Sequence, residues 1–75
     1  MKLKVEWKTK DLKTKHAWVV DVKARAEFPL CEPDRQVPYV NMLHKEEYRT
    51  GKTCSSCARK ITAFKQTFPE IQIIK

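Results

Sequence analysis

The sequence predicts an α+β fold: a small antiparallel sheet, built from an N-terminal hairpin plus later strands, packed by one C-terminal helix. Residues 3–7 and 16–28 alternate apolar with polar side chains, a period of two, while Cys57, Ile61, Phe64 and Phe68 recur at helical spacing. A helix with one apolar stripe must cover something, and a half-apolar sheet is the partner these strands provide.

Leu3, Val5 and Trp7 alternate with Lys2, Lys4, Glu6 and Lys8, which makes the first strand. Residues 9–15 are polar apart from Leu12 and form a connection. His16–Phe28 alternates again, with Trp18, Val20, Val22, Ala24, Ala26 and Phe28 on one side and Val19, Asp21, Lys23, Arg25 and Glu27 on the other. The two strands predict an antiparallel hairpin with Trp7 and Trp18 on a shared apolar face. Pro29 and Pro33 then end the strand and stiffen the loop that carries Cys31, because proline fixes φ and donates no hydrogen bond. Val37–His44 reads as a third strand, placed at an edge by Pro38, with a short helical turn as the competing expectation. A charged run then leads to Thr50-Gly51, a turn signal. The helix follows, capped at its start by Thr53 or Ser55 and stopped by Pro69, and Ile71 and Ile73 flank Gln72 in a last strand.

Seventy-five residues make a single domain, 1–75, whose core is marginal without a staple or partner. No apolar run approaches the roughly 20 residues of a membrane span, and the N-terminus lacks the apolar core of a signal peptide. Three cysteines are an odd number, which argues against a secreted disulfide framework. A cytoplasmic protein with no membrane partner is expected.

The net charge of +7 is uneven: residues 1–28 carry eight lysines and arginines against four acids, and residues 54–75 carry four against one. Lys2, Lys4 and Lys8 share a strand face, continued by Lys10, Lys13 and Lys15, and Arg59 and Lys60 can extend the patch from the helix. Such a face can track the phosphates of nucleic acid or meet an acidic protein surface. The simpler reading is that these lysines keep an edge strand from aggregating.

Cys54 and Cys57 are the most specific chemical feature. Two thiols at i and i+3 opening a helix can ligate one metal ion, form a redox disulfide at the thiolate-favouring helix N-terminus, or pack as small hydrophobes. Structural zinc takes four protein ligands; the remaining candidates are Cys31, His16 and His44, and Cys31 with His44 gives the set Cys31, His44, Cys54 and Cys57. His16 starts a strand and reads as a surface histidine. His44-Lys45-Glu46-Glu47 reads as a solvated face rather than acid–base machinery. With one glycine in the chain, no loop is available to cradle phosphates.

Residues 51–73, Gly51-Lys52-Thr53-Cys54-Ser55-Ser56-Cys57 with Ile61, Phe64, Phe68-Pro69 and Ile71-Gln72-Ile73, resemble the second half of the cytidine-deaminase-like fold. The likeness is to bacterial toxin deaminases, whose CxxC opens a zinc-bearing helix followed by a Phe-Pro turn and a strand. The resemblance implies that Cys54 and Cys57 are two of three zinc ligands. In that family the third ligand and the proton-shuttling Glu come from an H-x-E or C-x-E motif. Here the nearest stretch is Arg25-Ala26-Glu27, whose guanidinium cannot ligate zinc, and His16-Ala17-Trp18 lacks the acid. The sequence therefore points to a non-catalytic binding protein stabilised by zinc, acting as a regulator or inhibitor through nucleic acid or a nucleic-acid-handling protein. Its alternative is a deaminase-like or thiol-redox protein.

Overall fold

The computed structural model describes residues 3–9, 14–39 and 51–74. Lys2, Lys10, Lys13 and His44 lie outside the described residues, as does the expected third strand beyond Tyr39. The elements are β1 (Leu3–Lys8), β2 (His16–Asp21), β3 (Ala26–Pro29), β4 (Val37–Pro38), α1 (Ser55–Thr67) and β5 (Gln72–Ile74). One five-stranded sheet has the order β4-β3-β2-β1-β5, antiparallel except where β5 runs parallel to β1. The α+β architecture, a small, mostly antiparallel sheet with one helix against it, is the one expected.

The strand expected over 16–28 is in fact two strands. Val22–Arg25 form a turn, and β2 and β3 pair antiparallel across it. The turn lacks glycine, proline and asparagine, so the alternation runs through it without a break. Two features hold it: Asp21 Oδ1 accepts a hydrogen bond from the Ala24 N–H at 3.1 Å, and Arg25 takes the left-handed conformation with φ 55°. Pro38 does lie in an edge strand, since β4 ends the sheet.

Residues directly opposite in a sheet share a face, and the register separates the two tryptophans. Trp7 lies opposite Ala17 and Val5 opposite Val19, whereas Trp18 lies opposite Glu6. The helix side holds the apolar core of Val5, Trp7, Ala17, Val19, Leu30 and Cys57, flanked by half-buried Phe28, Ile61, Phe64 and Ile73. Trp18, 2% exposed, belongs to the opposite face. That corrects the expected shared face.

The opposite face also carries charge. Glu6, Lys8 and Glu27 are each 0% exposed. Lys8 Nζ lies 2.8 Å from Glu6 Oε1 and 2.6 Å from Glu27 Oε1, and Lys4 Nζ lies 3.0 Å from Glu6 Oε2. Tyr39 donates its hydroxyl to Glu6 Oε2 at 3.0 Å, and its ring sits 5.2 Å from the Lys4 ammonium and 4.9 Å from that of Lys8. Two cations against two anions leave the cluster neutral, the condition under which buried charge is tolerated. Burial works against the charged form of Glu6, but hydrogen bonds from Lys8 and Lys4 outweigh it and hold the carboxyl below its ordinary value. For Lys4, bonds to Glu6 and Tyr39 likewise overcome burial and raise its pKa.

These contacts revise the role expected for the strand lysines. β1 lies between β2 and β5, so it is not an edge to be protected. Lys8 is enclosed and Lys4 is three-quarters covered, so neither presents an open ammonium to a phosphate.

Candidate metal centre

Three backbone pairings bring four soft donors together. The β2–β3 register pairs Trp18 with Pro29, so two residues further along His16 comes level with Cys31. Leu30 N–H donates to Ala17 O at 2.8 Å and Glu32 N–H to Pro29 O at 3.0 Å, folding Cys31 into a turn beside the start of β2. A parallel bridge joins Lys15 to Thr53, where Lys15 N–H donates to Lys52 O at 2.7 Å and Cys54 N–H to Lys15 O at 2.9 Å. That bridge sets the first turn of α1, and with it Cys57, beside His16.

One ligand atom from each of His16, Cys31, Cys54 and Cys57 lies within 4.8 Å of all the others. His16 Nδ1 is 3.3 Å from Cys31 Sγ and 3.5 Å from Cys57 Sγ. A tetrahedral zinc with ordinary bond lengths separates N from S by about 3.6 Å and S from S by about 3.8 Å. The two observed N–S spacings suit one ion, and the other donor pairs, within 4.8 Å, would have to close by about 1 Å at most. His16 Nε2 lies 2.9 Å from Thr14 Oγ1, the outer hydrogen bond that fixes the ring and leaves Nδ1 to face the thiols.

The four donors differ in how readily they ionise. Burial, with the Cys57 and Cys54 thiols alongside, pushes the Cys31 thiol up to about 12. Burial also opposes ionisation of Cys54, but the backbone N–H groups of Cys57 and Ser56 and the neighbouring thiols hold it below its ordinary value. No side chain caps α1 by a hydrogen bond of regular geometry; Cys54 itself occupies the N-cap, in place of the expected Thr53 or Ser55. The N–H groups nevertheless lie near enough to its sulfur to favour thiolate. Burial keeps His16 below its ordinary value, so the imidazole is neutral and able to ligate.

Among the expected site residues, Cys31, Cys54 and Cys57 come together. The fourth donor beside them is His16, 8% exposed, which corrects its reading as a surface histidine. Of the basic residues, Arg59 and Lys60 are exposed on α1, Lys15 is half-buried beside the centre, and Lys4 and Lys8 are taken up by the ion cluster. Sequence reasoning weighs His16 as a ligand but sets it aside for His44, because the turn at 22–25 is hidden. Once β2 and β3 are separated, the hairpin register alone sets His16 against Cys31. No protein-family model matches the chain, and neither the curated proteins nor the solved structures contain a match to it.

Proposed function

We propose that this is a small non-catalytic binding protein whose helix is stapled to its sheet by zinc held by His16, Cys31, Cys54 and Cys57. The observation that carries the reading is the closeness of one imidazole and three thiols drawn from three separate segments. Soft thiolate donors select zinc, copper(I) or iron–sulfur centres, and a Cys3His set is a common structural zinc set. Four protein donors also fill a tetrahedral ion, whereas catalytic zinc keeps one position open to water or substrate. On this reading, the partner is anionic, either nucleic acid or the acidic surface of a nucleic-acid-handling protein, and regulation or inhibition is the expected outcome of binding. The net charge of +7 and the exposed Arg59 and Lys60 support that choice.

Metal analysis of the purified protein tests the staple. About one zinc per chain, lost in Cys54→Ser and in His16→Ala, is the expected result. A metal-free protein with a reversible Cys54–Cys57 disulfide would favour thiol-redox chemistry, the reading that the thiolate-favouring position of Cys54 supports. Nucleic-acid binding is tested separately by titration at several salt concentrations, where affinity should fall steeply as salt rises. No binding at low salt would leave the acidic protein surface as partner.

A further inference from the structure

A groove of about 930 Å³ runs between α1 and the end of the sheet formed by β1 and β5. Its floor is apolar, with Trp7, Ile61, Ile71 and Ile73, while Lys15 and Lys65 stand among its lining residues. Among the described lining residues there is no carboxylate. Part of the apolar surface beside it stays open: Cys57 is fully buried, but Ile61, which lines the groove, is only half-buried.

We propose that this groove docks a short segment of a protein partner in which aliphatic residues alternate with aspartate or glutamate. The inference deepens the binding-protein reading and rests on it, committing it to an acidic peptide rather than nucleic acid. Aliphatic side chains would seat on the isoleucine floor, and the carboxylates would meet Lys15 and Lys65. Nucleic acid fits less well. Stacking needs an open aromatic face, and Trp7, the aromatic among the described lining residues, is 7% exposed. The two cations among the described lining residues are also few for a backbone that carries a charge on every nucleotide.

The groove is joined to the metal centre through the chain. Lys15 and Thr53 line it, and each is adjacent in sequence to a donor, His16 and Cys54. A parallel backbone bridge joins Lys15 to Thr53, so the two lining residues and the donors next to them are held by one contact.

The test is selection of a random twelve-residue peptide library on the full chain as purified, followed by titration of the recovered peptides into isotope-labelled protein. Recovered sequences should combine acidic with aliphatic residues and shift the amide signals of Ile61, Thr62, Lys65 and Ile71. Lys65→Glu should weaken binding about tenfold, because it replaces an attraction by a repulsion. Thr62→Trp should abolish binding by filling the groove. Both positions are exposed, so both variants should keep the parent unfolding midpoint. Failure to enrich any sequence, basic or uncharged sequences, signals shifting elsewhere, or affinity unchanged in both variants would overturn the proposal. A thymidine oligonucleotide that shifted the same signals more strongly would overturn it in favour of nucleic acid. Zinc content is measured on the same sample, so loss of the staple reading and loss of the groove reading are told apart.

Discussion

At Lys8 an ammonium group sits between two carboxylates, Glu6 at 2.8 Å and Glu27 at 2.6 Å, and none of the three residues reaches solvent. Removing the cation strands two anions in a covered face. Lys8→Met should therefore cost about 3–5 kcal/mol, read as a lower urea midpoint. Replacing Glu6, Lys8 and Glu27 together by apolar residues of similar volume should recover much of that loss, because the desolvation of all three disappears. The cluster also sets a pH dependence. The folded pKa of Glu6 is depressed, so its contribution is complete above the ordinary carboxylate value and is lost as pH falls through the depressed one. Stability should thus decline on acidification from pH 5 downward, and less steeply in Glu6→Gln. Thr14 offers a separate check. Thr14→Val removes the outer bond to His16 Nε2 and should weaken metal affinity about tenfold or more, measured by competition with a chelator. None of these partnerships is written in local sequence. The alternation places Glu6 and Lys8 on one face, but only pairing with β3 brings Glu27 there to neutralise Lys8.

Among the elements, α1 and β1 were the most legible, because each keeps its own period from end to end and needs no partner to declare it. α1 also ends where the chain suggested: helix runs to Thr67, and Phe68 closes the last turn by donating its N–H to Phe64 O. β5 follows one residue after Ile71, and its parallel pairing with β1 depends on a crossover that local pattern does not encode. The β2–β3 turn was illegible for a different reason. Val22, Lys23, Ala24 and Arg25 continue the two-residue alternation although the chain reverses, and the left-handed residue is an arginine where glycine or asparagine is usual. Relieving it should help. Arg25→Gly removes a Cβ penalty of about 1–2 kcal/mol and adds a smaller entropy cost, for a net gain of about 0.5–1 kcal/mol in urea unfolding. The backbone bond from Tyr39 N–H to Arg25 O is untouched by that change.

Over the whole molecule, the donor cluster and the ion cluster meet at a single cross-strand pair, since Lys8 of β1 lies directly opposite His16 of β2. Three of the four stripe residues of α1 remain half-buried, so an ion held by the donor cluster would add to the attachment of the helix. If zinc is the staple, a strong chelator removes a ligand that binds only the folded state. An ion present at 1,000 times its dissociation constant contributes about 4 kcal/mol. In a domain of this size that corresponds to a fall of about 15 °C or more in the thermal midpoint. Cys57→Ser should lose the response to chelator altogether. The shared pair then makes a sharper demand. Without the ion the His16 end of β2 is less firmly held, and the adjacent Lys8 pairing weakens with it. Chelation and Lys8→Met should therefore destabilise by less in combination than the sum of their separate effects, with a coupling of about 0.5 kcal/mol or more. Urea titrations of the parent and of Lys8→Met, each with and without chelator, give the four free energies required. Equal chelator losses in both proteins would mean that the two polar clusters act independently despite the Lys8–His16 pair that joins them.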